Sequence, residues 1–179
     1  MQQNEDKPQS CFILVAEDDE QDFFLLQRAI ERSGLPHRIF QVRDGHEVIE
    51  YLEGQNGYAD RELFPQPDLL ILDLKMPRMN GFDVLETLRK EARFADLPVV
   101  VMSGSDVPSD AEHARRLGAR DYYIKSFNPE GAREAILDIS RKFLEHGIAV
   151  NNSQFGSSKP RSQAKTPFPK KNSRFPRAL

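Results

Sequence analysis

A single cysteine, Cys11, stands in the 179 residues, so no internal disulfide can form; its place at the head of an apolar run predicts a buried thiol rather than a redox nucleophile. No stretch reaches the roughly 18 consecutive apolar residues of a membrane span, and the opening MQQNEDKPQS is polar and acidic rather than a secretory leader. A cytoplasmic protein with no membrane partner is the expectation. The four histidines, His37, His46, His113 and His146, fall at no metal-ligand spacing, which leaves them to surface or core. No internal repeat is visible. Acids are missing altogether beyond Glu145: all 28 lie at or before it, while seven of the 25 bases follow it, giving about −10 for the first part and about +7 for the tail. Ser, Pro, Asn and Lys dominate that tail without apolar periodicity, and such a composition cannot bury enough surface to offset its ordering entropy.

What is present is an alternation. Strand-like apolar runs at Phe12–Ala16, Arg38–Val42, Leu69–Leu72, Val99–Met102 and Tyr122–Ile124 are each followed by a segment with helical spacing. Five such units predict a doubly wound, five-stranded parallel sheet of the α/β class with helices on both faces. The first helix carries Phe23, Phe24, Leu26 and Ile30 and stops at Ser33-Gly34; another runs from Phe82 to Lys90 behind Asn80-Gly81, with Val84, Leu85 and Leu88 inward. The last starts near Pro129, places Ala132, Ala135, Ile136, Ile139 and Phe143 along one stripe, and is predicted to end at His146-Gly147. The expected organisation is a disordered N-terminus over 1–10, one domain over 11–147 and a disordered basic tail over 148–179. The connection Glu53 to Pro67 exceeds ordinary αβ loops and is rich in Gly, Asn and Pro, which predicts either a functional or mobile loop or a tolerated insertion.

In a parallel sheet the C-terminal strand ends share one rim, where open α/β folds place their chemistry. The runs here deliver Glu17, Asp18 and Asp19 after the first strand, Asp73 after the third, Ser103 after the fourth and Lys125 after the fifth. Carboxylates converging on one rim repel one another unless a cation sits among them, and an all-oxygen site with few ligands suits Mg²⁺. With one oxygen held, Asp73 is chemically able to take a phosphoryl group as an aspartyl phosphate; Lys125 would neutralise the phosphoryl oxygens and the Ser103 hydroxyl would bond one of them. Taken singly, each residue has a plainer role: Asp19 or Asp22 as a helix N-cap, Ser103 in a turn with Gly104, Lys125 as a solvated lysine. The joint placement on four strand ends is what points to chemistry.

These stretches, LVAEDDE, LDLKMPRMNGFDVL, MSGS and GARDYYIKSF, with Ser103 30 and Lys125 52 positions beyond Asp73, resemble the receiver domain of two-component response regulators over about Phe12 to His146. The resemblance implies a flavodoxin-like fold and Asp73 as phosphoacceptor. It implies Glu17 and Asp18 beside Mg²⁺, with the Lys75 backbone carbonyl as a further ligand, Ser103 and Tyr122 as a switch pair, and Lys125 on the phosphate. A sensor histidine kinase or histidine phosphotransfer domain would be the donor, and a homodimer through the fourth helix, fifth strand and fifth helix is a family expectation. Such a protein is a signalling phosphoacceptor, catalysing only its own phosphorylation and dephosphorylation.

Two departures stand out. Ser126 follows Lys125 where the family usually has a cis-linked proline, and the long 53–67 connection resembles single-domain regulators paired with bacteriophytochrome-type and hybrid sensor kinases. The 33 residues after His146 are too few and too polar for a helix-turn-helix, so nucleic acid is not an expected partner. A metal-dependent phosphohydrolase would need a second aspartate two residues after its nucleophile, where this chain has Lys75. A degenerate receiver acting as a constitutive interaction module is the remaining alternative, against which the intact acidic, serine and lysine positions stand.

Overall fold

The computed structural model describes residues 10–144. Five strands, β1 (Phe12–Ala16), β2 (Arg38–Val42), β3 (Leu69–Leu72), β4 (Val99–Ser103) and β5 (Asp121–Ile124), form one all-parallel sheet in the order β2-β1-β3-β4-β5. The helices are α1 (Glu20–Ser33), α2 (Gly45–Glu53), α3 (Gly81–Lys90), α4 (Pro108–Arg116) and α5 (Pro129–Phe143). The expected class and strand positions therefore hold, with β4 one residue longer at its end and β5 starting one residue earlier.

Successive residues of a strand point to opposite faces, so a strand covered on both sides has no polar alternation. Leu14, Ala16, Leu70, Leu72 and Val101 pack with Val48, Tyr51, Val84, Leu85 and Ala114 under α2, α3 and α4. Their neighbours Ile13, Val15, Ile71, Val100 and Met102 pack with Leu26, Ile30, Ala132, Ile136 and Ile139 under α1 and α5. The reading of α1 needs one correction: Phe24 is 55% exposed, because Phe23, Leu26 and Ile30 already fill the core stripe and Phe24 lies off it. There it lies under the Arg28 guanidinium.

Caps set the helix ends. Asp19 caps α1, accepting from the Gln21 and Asp22 amides, and Gly34 closes it in the left-handed region at φ 73°. Asn80 and Asp83 form a reciprocal capping box on α3. Asn128 caps α5, whose last helical residue is Phe143. The predicted stop at His146-Gly147, the predicted tail and residues 1–9 lie outside the described residues. Ser10, assigned to the N-terminal segment, donates its hydroxyl to the Pro36 carbonyl at 2.7 Å.

The 53–67 connection is packed against α2 and β2. Tyr58 and Phe64 stack edge-on with Phe40 and close against Tyr51, with ring centroids 5.0–6.1 Å apart. The Arg61 guanidinium donates to the carbonyls of Tyr51 (2.9 Å), Leu52 (2.9 Å) and Phe64 (3.2 Å), tying the loop to the end of α2. Tyr51 donates its hydroxyl to Pro65 O, and Tyr58 to Glu47.

Candidate functional site at the switch point of the sheet

The strand order reverses between β1 and β3, and the crevice at that point receives the residues that leave both strands. Glu17 follows β1 directly; its amide donates to Val42 O and its side chain is buried, as is Asp73, whose amide donates to Ala16 O. Lys125 follows β5, pinned by its amide to Ser103 O at 2.8 Å. Backbone ladders thus aim three side chains into one space. Lys125 Nζ meets Glu17 Oε2 at 2.7 Å, Asp22 Oδ2 at 2.9 Å and Asp73 Oδ2 at 3.0 Å.

One oxygen each of Glu17, Asp18 and Asp73 lies within 4.8 Å of the others, with Asp18 on the solvent side. Asp73 Oδ1 is buried and has no hydrogen-bond partner among the described residues. Three mutually close carboxylates, one of them with a buried oxygen left open, suit a divalent cation such as Mg²⁺ or Mn²⁺. The electrostatics agree: burial pushes the Glu17 carboxyl up to about 7, against the pull of the Lys125 ammonium, with the Asp73 charge adding to the rise. On Lys125 burial works the other way, but its contacts with Glu17 and Asp22 outweigh burial and hold the ammonium above its ordinary range.

The loop after Asp73 is built for close passage. Gly81 donates to Leu74 O, and a Cβ there would overlap the Asp73 carbonyl oxygen and stand 2.9 Å from Leu74 Cα. Arg78 takes positive φ (63°) and ion-pairs with the fully buried Asp44, tying this loop to the start of α2. Lys75 presents its side chain to solvent.

Ser103 is fully buried at the end of β4, where its Oγ accepts from the Ser105 amide at 3.3 Å. The half-buried Tyr122 donates its hydroxyl to Ser105 O at 2.9 Å. Ser103 and Tyr122 are thus linked through Ser105, whose own hydroxyl donates to Asp110 of α4 at 2.6 Å. The Lys125–Ser126 peptide is trans. In place of the proline, Ser126 Oγ accepts from the Asn128 amide at 3.2 Å, a side-chain turn that leads into α5.

Sequence reasoning brought Glu17, Asp18, Asp73 and Lys125 together correctly and missed Asp22 and Ser105 as members of the site. Asp22 lies in the first turn of α1. His46 and His113 are exposed and His37 is half-buried; His113 stacks on Phe82 at 4.7 Å rather than joining the carboxylates. Among the described residues no helix is long and apolar enough to cross a membrane.

Comparison with known proteins agrees with this geometry. The response regulator receiver domain model matches residues 13–137. Response regulator Rcp1 of Synechocystis sp. is 30% identical over 133 residues, 74% of this chain and 88% of that protein. A probable methanogenesis regulatory protein, FilR2, of Methanothrix harundinacea is 32% identical over 132 residues, covering 74% and 83%. Among solved structures, the phosphorylated cyanobacterial phytochrome response regulator RcpA superposes with a TM-score of 0.70 at 31% identity, covering 78% of this chain and 98% of its own. The response regulator RPA3017 of red light signalling in R. palustris gives 0.73 at 30%, covering 77% and 96%. The Mn²⁺-bound form of Rcp1 gives 0.67 at 29% identity, covering 77% and 97%. The chain belongs to the response regulator receiver domain family.

Proposed function

We propose that Asp73 is the phosphoacceptor of a two-component or phosphorelay pathway and that a sensor histidine kinase or histidine phosphotransfer domain is the donor. The observation that carries the reading is one buried carboxylate, 3.0 Å from a lysine ammonium and grouped with two further carboxylates at the sheet's switch point. A carboxylate oxygen of Asp73 attacks phosphorus and an O–P bond forms. The N–P bond to the donor imidazole breaks, its electron pair stays on nitrogen, and that nitrogen takes a proton from solvent. Lys125 holds an anionic oxygen through the transfer, and the buried Ser103 lies on the neighbouring strand end, where its hydroxyl can follow a phosphoryl oxygen. Glu17, Asp18, Asp73 and the Lys75 backbone carbonyl would hold Mg²⁺, which when bound offsets the charge of the phosphoryl oxygens.

The output is a face rather than a reaction on a second substrate. Ser103 shifting toward the phosphoryl group draws on its bond with the Ser105 amide, and Tyr122 holds the next carbonyl of that loop. On this reading phosphorylation repacks α4, β5 and α5, and that face makes the homodimer or partner contact. The red-light regulators among its relatives point to a phytochrome-type kinase as donor, acting in the cytoplasm.

The test is intact-mass spectrometry after incubation with acetyl phosphate and Mg²⁺. One added phosphoryl group, absent from Asp73→Asn and abolished by chelator, is the expected result. A phosphoryl group retained in Asp73→Asn refutes the assignment.

A further inference from the structure

Asp22 lies outside the three carboxylates grouped around Asp73, yet it reaches Lys125 Nζ at 2.9 Å. An ammonium has three protons to donate, and here three carboxylates accept them: Glu17, Asp22 and Asp73. Two of those acceptors change roles if Asp73 takes a phosphoryl group, since Asp73 becomes the acyl phosphate and Glu17 belongs to the cation-holding set. Asp22 alone keeps the same chemistry before and after transfer.

We propose that Asp22 is a positioning residue for Lys125, a tether from the first turn of α1 that holds the ammonium where the phosphoryl oxygens arrive. This rests on the phosphoacceptor reading of Asp73. The tether is firm at its base, because the Asp22 amide donates to the Asp19 carboxylate at 3.0 Å in the α1 cap. Lys125 shares its pocket with Leu25, Leu26, Ala132 and Ala135, side chains that offer a flexible lysine no directional bond.

Asp22 carries a negative charge near an incoming dianion, so its repulsion opposes its tethering. Exposure decides between the two. The Asp22 side chain is 29% exposed, against 6% for Glu17 and 5% for Asp73, so water screens its long-range field more strongly. The direct bond to the ammonium is left as the dominant effect, worth about tenfold in affinity for a group that Lys125 must meet.

The experiment titrates beryllofluoride, a mimic of the phosphoryl group, into the full chain with saturating Mg²⁺, read by fluorine NMR; Mg²⁺ alone is titrated separately. Wild type, Asp22→Ala and Asp22→Asn are compared. Asp22→Ala is expected to weaken beryllofluoride about tenfold while Mg²⁺ affinity stays within about twofold, and to shift the bound fluorine resonance nearest Lys125. Asp22→Asn loses the same helix-terminal charge but keeps an acceptor, and so recovers most of the affinity.

Beryllofluoride binding unchanged or tightened in Asp22→Ala overturns the tether, as does a parallel loss of Mg²⁺ affinity or an Asp22→Asn protein as weak as Asp22→Ala. Wild type that binds Mg²⁺ but no beryllofluoride overturns the phosphoacceptor reading itself, and the tether with it.

Discussion

Replacing Glu17 with Gln should stabilise the metal-free protein, and more so as pH rises. Burial carries the Glu17 carboxyl from an ordinary 4.5 to about 7, a value that already includes the attraction of Lys125. The folded protein therefore binds this proton more tightly than the unfolded chain does. The stability so gained is complete below about pH 4.5 and is lost as pH climbs through about 7, where folding forces a charge into a site that disfavours it. At about 1.4 kcal/mol per tenfold change in proton affinity, the cost is a little over 3 kcal/mol at pH 8 and falls to about 1 kcal/mol at pH 5. Glutamine resembles the protonated carboxyl and still offers Lys125 an oxygen. Urea unfolding in chelator should then find Glu17→Gln more stable than wild type by about 2 kcal/mol more at pH 8 than at pH 5. With Mg²⁺ added the advantage should shrink or reverse, because the wild-type carboxylate is the better cation ligand and binding stabilises the folded state. A difference that does not change with pH, or a mutant less stable than wild type at pH 8 in chelator, would refute the electrostatic account.

Arg61→Met removes three guanidinium bonds to the Tyr51, Leu52 and Phe64 carbonyls, and partial rehydration should limit the loss to about 2 kcal/mol in a denaturant titration, with Mg²⁺ affinity unchanged. A loss below about 0.5 kcal/mol would mean that the aromatic cluster alone holds the loop. Gly81→Ala places a Cβ against the backbone of Asp73 and Leu74, so it should cost about 2 kcal/mol or more and also weaken Mg²⁺ binding by moving the Asp73 loop, read by unfolding and by calorimetry on the same sample.

How far the site could be read in advance depends on which physical signal each residue leaves in one dimension. Asp73 was legible because both faces of β3 are covered, which makes Leu69–Leu72 an unbroken apolar run and its following carboxylate conspicuous. Parallel topology then brought Glu17 and Lys125 to the same rim without further information. Asp22 was not legible in that way, since an acid in the first turn of a helix is favourable beside the macrodipole whatever it faces. Ser105 was hidden for another reason: its part is played largely by its backbone carbonyl and amide, which every residue possesses. In the 53–67 connection the Gly, Asn and Pro content gave no sign of the packing, which Tyr58, Arg61 and Phe64 carry.

Ser126, where the receiver resemblance leads one to expect proline, shows a different physical device at that position. A proline there would restrict its own φ and remove a donor; serine instead supplies a hydroxyl that accepts from the Asn128 amide and leads the chain into the α5 cap. The Lys125–Ser126 peptide remains trans, so the placement of the lysine cannot come from a cis bend. It comes from both ends of the residue: the backbone is fixed by the bond to Ser103 O, and the ammonium by carboxylates delivered from β1, α1 and β3. Fixing the end of a long side chain through the acids around it makes the lysine's position depend on their charge state. If Asp22 tethers the lysine as proposed, drawing Glu17 or Asp73 toward a cation or a phosphoryl group leaves Asp22 as the ammonium's remaining anchor.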